Sequence, residues 1–291
     1  MSAKPDEATG RPPRTRSVLR IGPDLAPRVA AAVVMAAAAL AVAWVGGIVF
    51  VAFWWIASAV LLWEWQRMVG NDRLTARVVV GALFLVAAAL MALQNWSYPA
   101  LLALAAGAAS VGFIVPGRRI WAGAGALYAG ALVVSLGLLQ ASPIYGLPAI
   151  LWLFAIVWGA DVAAYFAGRA IGGPRLWPRV SPGKTWSGAV AGAVAGAGLG
   201  LAIAVVLVPG SIRVDRVFLL GLAAAVVSEF GDLFESAVKR RFGVKDSSGL
   251  IPGHGGLMDR LDSFIAASIF AAVVAAANSR GSFIASGLFQ W

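Results

Sequence analysis

The chain has 291 residues, 60% of them hydrophobic and only 12% charged, with a formal net charge of +10 and no cysteine. A soluble protein of this length needs a charged surface, so the composition excludes one; long continuous apolar runs point to an all-α, polytopic integral membrane protein, since barrel strands alternate polar and apolar. The lack of cysteine excludes disulfides, thiolate metal sites and cysteine nucleophiles, and the positive excess reads as Lys and Arg facing an anionic lipid surface, not nucleic acid.

Residues 1–26 form a polar, basic, Pro-containing tail, expected to be disordered and cytoplasmic. A polar stretch of about 28 residues precedes the first apolar run and further spans follow, which argues against a cleaved signal peptide. Nine spans are predicted, at 27–46, 47–66, 78–95, 98–115, 120–140, 148–170, 187–208, 216–238 and 264–285. Gly46 and Gly47 leave a very short turn between the first two. With a cytoplasmic N-terminus, alternation puts 20 of the 23 Lys and Arg on the cytoplasmic side, which supports nine spans with the C-terminus outside. The two longest loops, 171–186 and 241–262, then both face the cytoplasm. Residues 27–145 therefore read as a transmembrane scaffold and 146–291 as the catalytic region. The seventh span, "GAVAGAVAGAGLGLAIAVV", repeats small residues at four-residue spacing, which predicts close helix packing and would permit a homodimer.

A carboxylate at the bilayer centre costs roughly 2.5–3.5 kcal/mol on insertion scales, so each acid in a span needs a reason. Asp161 lies in "WGADVAAYFAGR", with Tyr165 and Gly168 on its face of the helix. Glu229, Asp232 and Glu235 lie in "VVSEFGDLFESAVKRR", where Asp232, Ser236 and Lys239 share a face. Glu64 is the one such acid in the scaffold half. A buried ion pair or hydrogen bond locking helices together explains Glu64 and Glu229 as well as a functional role does. It explains Asp161 and Asp232 less well, because their spans feed directly into the two charged loops. The acids crowd towards one side, which disfavours a proton or ion pathway across the whole depth.

The first loop runs "GRAIGGPRLWPRVSPGKTWSG". Its "GKT" is not a phosphate-binding P-loop: Pro178 stands where that motif needs glycine, and no hydrophobic strand precedes it. Ser181, Lys184, Thr185 and Ser187 are nevertheless expected at the start of a helix, whose free N–H groups favour a phosphate. The competing reading is a basic loop beside lipid headgroups. The second loop contains "KDSSGLIPGHGGLMDRLDS". Asp259 and Asp262 fall on one face of the last helix's first turn and suit a hard cation such as Mg²⁺, which takes carboxylates, waters and substrate phosphates. Gly255 and Gly256 permit close approach of a phosphate chain, and Lys239, Arg240, Lys245 and Arg260 surround it with positive charge. His254 is read as a phosphate or loop contact; zinc would need more soft ligands than this chain has.

Residues 236–263, "SAVKRRFGVKDSSGLIPGHGGLMDRLDS", resemble the signature of the phosphatidate cytidylyltransferases, or CDP-diacylglycerol synthases. Its fixed positions are filled by Ser236, Lys239, Arg240, Lys245, Asp246, Pro252, His254, Gly255, Gly256, Asp259, Arg260 and Asp262. "GDLFES", "WGADVAAYFAGR" and "SPGKTWSG" resemble further family segments, although Ser187 stands where the family usually has Glu, and Gly183 where it often has Lys. The resemblance implies a bacterial inner-membrane enzyme that joins CTP to phosphatidic acid at its cytoplasmic face, with Mg²⁺ and room for a second, monovalent cation. It implies Asp232 and Asp259 as leading metal ligands, with Asp246 and Asp262 assisting. Lys184, Lys239, Arg240, Lys245 and Arg260 would bind phosphates, Ser181, Thr185, Ser236, His254, Gly255 and Gly256 would line the substrates, and Asp161 would be a pocket carboxylate. The alternatives are a transporter using the intramembrane acids and a lipid or polyprenol kinase. The pattern of the CDP-alcohol phosphotransferases is absent.

Overall fold

The computed structural model describes residues 25–178, 180–251 and 255–290. Helices dominate: α1 (Leu25–Val45), α2 (Gly47–Val69), α3 (Leu74–Leu93), α4 (Ser97–Ile114), α5 (Arg119–Gln140), α6 (Gly146–Ile171), α7 (Trp186–Leu207), α8 (Val214–Arg241) and α9 (Met258–Asn278). Eight of the helical segments are long and apolar enough to cross a membrane, while α1 offers the shorter apolar stretch Ala30–Val45. Large apolar side chains such as Trp44, Ile120 and Val206 stay exposed on the outside, as lipid-facing residues do. The protein is an all-α polytopic membrane protein.

Each predicted span corresponds to a helix, and the turn between the first two shrinks to Gly46 alone, at φ +67°. The ninth differs. It was expected at 264–285 and runs over Met258–Asn278, so Asp259 and Asp262 lie inside its first turns. The loop before α7 also differs, because it folds into a small antiparallel hairpin of β1 (Arg175–Trp177) and β2 (Ser181–Thr185). Ser181 and Lys184, expected at a helix start, therefore sit on a strand. Thr185 is the N-cap of α7, accepting from the Gly188 N–H at 3.2 Å, and Ser187 lies in the helix's first turn.

Helix α5 is the most enclosed of the spans, and it contacts α2, α3, α4, α6 and α9. Around it α2 and α3 are tied by the buried Arg77, which donates to Gln66 Oε1 at 3.0 Å and to the Gly70 carbonyl. Gln66 in turn donates to the Ala122 carbonyl of α5 at 2.7 Å.

The small residues of α7 serve its packing on α6. A Cβ on Gly188, Gly192 or Gly196 would lie 2.8, 2.7 or 2.6 Å from the carbonyl oxygens of Ala164, Ala160 and Ile156. In lipid there is little hydrophobic drive between helices, so this close backbone approach is what holds the pair. The seam is internal, so these glycines face α6 and not a second copy. Its effect is to lay the end of α6, with Asp161 and Tyr165, beside the start of α7. Gly196→Val is expected to lower the unfolding temperature in detergent, at a cost of about 1–3 kcal/mol from overpacking. Gly198, whose Cβ would meet nothing within 4 Å, provides the control: Gly198→Ala should leave the melting curve unchanged.

Candidate active site

The C-terminal ends of α2, α6 and α8 meet the N-terminal ends of α7 and α9. Where α8 crosses α9, Gly231 has no side chain, and a Cβ there would stand 2.6 Å from both the Asp262 carbonyl oxygen and the Ala266 Cβ. That contact brings Asp232 and Glu235 of α8 to Asp262 of α9, with one carboxylate oxygen from each lying within 4.8 Å of the others. Two lysines serve the acids around them. Lys184, reaching in from β2, contacts Glu229 at 2.5 Å and Asp232 at 2.6 Å. Lys239, one turn beyond Glu235, contacts it at 2.7 Å and Asp259 at 2.5 Å. Asp161 and Asp262 form no ion pair among the described residues. Among the described residues, the fully buried Glu235 oxygens have no hydrogen-bond partner apart from Lys239. The Tyr128 hydroxyl on α5, also buried and without a partner among the described residues, lies within electrostatic reach of Asp262, Glu235 and Asp232.

Burial by itself would lower the pKa of the Lys184 ammonium. The charges of Asp232 and Glu229, and the hydrogen bonds to both, outweigh burial and raise it above its ordinary value.

Asp259 organises the loop before α9. Its carboxylate accepts from the Ser247 N–H and hydroxyl, both at 3.0 Å, and from the Gly256 N–H at 2.7 Å, besides Lys239. Gly255 turns the chain there at φ +81°, and a Cβ on it would stand 2.7 Å from Asp259 Oδ2. Glu64 of α2 accepts from the N–H groups of Leu257 and Met258 at 2.9 and 2.7 Å.

Two cavities open from the acids. One, of about 500 Å³, is lined by Asp161, Tyr165, Arg169, Lys184, Glu229 and Asp232. The other, of about 790 Å³, has Asp161, Asp232, Lys239, Asp259, Arg260 and Asp262 at one end and apolar walls from α1, α2, α6 and α9. Its aromatic wall is a stack: Trp54 on Phe264 at 5.4 Å, Phe264 on Phe154 at 5.1 Å, and Phe154 on Trp158 at 4.7 Å between ring centres. Asp161 and Asp232 border both cavities.

Residues 26–277 match the family described as "Cytidylyltransferase family". The chain belongs to that family. It is 39% identical over 257 residues to a protein of Brucella suis biovar 1 (strain 1330) named phosphatidate cytidylyltransferase, covering 84% of this chain and 91% of the relative. A Pseudomonas aeruginosa protein of the same name is 41% identical over 232 residues, covering 74% and 84% of the two chains. One from Bacillus subtilis (strain 168) is 39% identical over 128 residues, or 42% and 45%. In this cytidylyltransferase-family chain the predicted residues Asp161, Lys184, Asp232, Lys239, Asp246, Asp259, Arg260 and Asp262 all border one or both cavities.

Thr185 also borders the smaller cavity while capping α7. Others lie elsewhere: the Ser236 hydroxyl is 3.3 Å from Asp232 Oδ1. Arg240 is exposed and donates to the Val244 carbonyl at 3.1 Å, Lys245 is exposed, and Ser181 borders neither cavity. Gly255 and Gly256 shape the loop around Asp259. His254, Pro252 and Arg179 lie outside the described residues. Sequence reasoning gave no site role to Glu235, Ser247 or Tyr128. Glu235 had one signal, its position four residues before Lys239 on a helix.

A raised lysine pKa means that the Lys184 ion pair is complete below the lysine's ordinary value and is lost only as pH rises through the higher folded value. Lys184→Met is therefore expected to lower the unfolding temperature by the same amount throughout about pH 7–9. A gap that closes within that range would show that the amine loses its proton early.

Proposed function

We propose that this membrane protein transfers CMP from CTP to phosphatidic acid, giving CDP-diacylglycerol and pyrophosphate. The observation that carries this reading is the shared edge of the two cavities. One is compact and has Lys184 and Arg169 among its lining residues, cations that phosphates could draw from Glu229, Asp232 and Tyr165. The other is polar at the acid end and aromatic beyond it, which is the shape of an amphiphile. A nucleotide in the first and a lipid phosphate at the mouth of the second would meet beside Asp232.

An oxygen of the lipid phosphate attacks the α-phosphorus of CTP. The bond from that phosphorus to the bridging oxygen of the β-phosphate breaks, and pyrophosphate leaves with the electron pair. The lipid phosphate is largely ionised near neutral pH, so no strong base is needed. The protein's contribution is alignment and charge compensation. Lys184 would hold phosphates of the nucleotide and Arg260 the phosphate of the lipid.

The acid cluster fits a hard divalent cation. Asp232, Glu235 and Asp262 offer only oxygen donors, close enough to repel one another, and the buried Glu235 is met only on one side, by Lys239 at 2.7 Å. Mg²⁺ bound there would offset negative charge on the reacting phosphates. In this reading Asp232, Glu235 and Asp262 hold the ion. Asp259, whose oxygens are engaged by Lys239 and loop donors, orients the loop. The charge of three neighbouring acids exceeds that of one divalent ion, which would favour a monovalent cation as well.

The same reading places the protein in a bacterial inner membrane with the N-terminus and the site on the cytoplasmic side, where CTP is available. The charge bias of 20 of 23 Lys and Arg supports this. Residues 27–145 then act chiefly as scaffold, with α1 and α2 also walling the lipid cavity.

Incubating the purified protein with labelled CTP, phosphatidic acid and Mg²⁺ should release pyrophosphate and form CDP-diacylglycerol, and chelation should stop it. Release of CDP would instead mark a kinase. Asp232→Asn and Asp262→Asn are each expected to lower kcat by about 10²–10³, the usual loss when charge stabilisation of a transition state is removed. The chain lacks cysteine, so single-cysteine labelling reads topology without background. A membrane-impermeant thiol reagent should reach Arg213→Cys from outside intact cells, and Arg241→Cys only after lysis.

A further inference from the structure

Helix α9, which carries Asp259 and Asp262, has no cap of its own, because the residue before it is Leu257 and no local side chain accepts from its first turn. Glu64, far away in sequence on α2, supplies the acceptors. It is fully buried, and each of its oxygens takes two donors. Oε1 accepts from the Leu257 N–H at 2.9 Å and the Ser248 hydroxyl at 2.5 Å. Oε2 accepts from the Met258 N–H at 2.7 Å and the Ser247 hydroxyl at 3.3 Å. No lysine or arginine pairs with Glu64 among the described residues, so these four donors and the helix N-terminus compensate its charge.

Ser247 links this cap to the acids. Its hydroxyl also lies 3.0 Å from Asp259 Oδ2, and its N–H donates to the same oxygen. Asp259 holds Lys239, and Lys239 holds Glu235. A hydroxyl has one proton to give, so Ser247 serves either Glu64 or Asp259 at a given moment and keeps both at hydrogen-bond distance. Gly256 completes the fit, because a Cβ there would overlap both the Ser247 hydroxyl and the Glu64 carboxylate. Glu64 borders neither cavity at the acid cluster.

We infer that Glu64, acting through Ser247, is a positioning residue for the transfer reaction: it fixes the start of α9 and thereby the spacing of Asp262 and Asp259 from Asp232, Glu235 and Lys239. The inference rests on the functional reading above. It gives the scaffold half of the chain a direct hold on the chemistry without contact with either substrate.

The test compares full-length wild type with Glu64→Gln, Glu64→Asp, Glu64→Ala and Ser247→Ala in detergent, measuring turnover against Mg²⁺, CTP and phosphatidic acid. The rise in unfolding temperature with Mg²⁺ is followed in parallel and needs no turnover. For Glu64→Gln, the Mg²⁺ concentration for half-maximal effect should rise about 10–100-fold in both measurements, the usual penalty for losing a group that orients metal ligands. Glu64→Asp, which keeps the charge, should recover part of the loss. Variants that melt earlier yet show wild-type Mg²⁺ dependence and kcat would reduce Glu64 to a structural lock and overturn the inference. If Glu64→Ala does not fold, Ser247→Ala decides, since it leaves the helix cap in place, and wild-type kinetics there would have the same consequence. A wild type with neither turnover nor a Mg²⁺ shift would sink the functional reading and this one together. Wild-type turnover with unaffected variants would sink this one alone.

Discussion

A carboxylate inside an apolar bundle must be met by a cation, by hydrogen-bond donors or by a metal ion, because leaving it bare costs several kcal/mol. That requirement governs one whole end of this protein. Glu64 is met by four donors, Glu229 and Asp232 by Lys184, and Glu235 and Asp259 by Lys239. Two lysines shared among four acids leave negative charge in excess, and Asp262 adds to it beside Asp232 and Glu235. The surplus has a location, and through Asp232 it touches the edge shared by the two cavities.

Such compensation works only where helices approach closely, and glycine sets that approach. On α7 a row of glycines faces α6 and brings Lys184 into reach of α8. On α8 Gly231 admits the backbone of α9. These contacts do not hold charge themselves, but each fixes the distance at which a lysine or a carboxylate arrives. The central α5, in contact with both halves, carries the scaffold's rigidity to the acids through Tyr128 and its ring contacts with Trp65 and Phe234.

Much of this was legible from the residues. Long apolar runs, charged loops and the glycine pair at 46–47 are local signals, and they locate the helices. Asp161 and Asp232 stood out because charge in an apolar span is costly wherever it falls, and Asp259 and Asp262 because two carboxylates at a helix entry suit a hard cation. Pairings were not legible, because nothing local says that Lys184 will meet Glu229 or that Glu64 will meet Met258 across most of the chain. The cap of α9 belongs to the same class, since it comes from another helix. The hairpin at 175–185 was missed because its strands are short and polar, without the alternation that marks a buried strand. Thr185 stood out for its place in a phosphate-like sequence, but its cap on α7 follows from the helix after it.

The shared border at Asp161 and Asp232 has a kinetic meaning. If nucleotide and lipid occupy adjoining cavities, the product carries a nucleotide headgroup and acyl chains in one molecule and spans both at once. Pyrophosphate can leave through the polar side, but the lipid product must withdraw sideways into the bilayer. Until it does, it blocks both substrates, so the enzyme is built to slow down as its own product accumulates in the surrounding membrane.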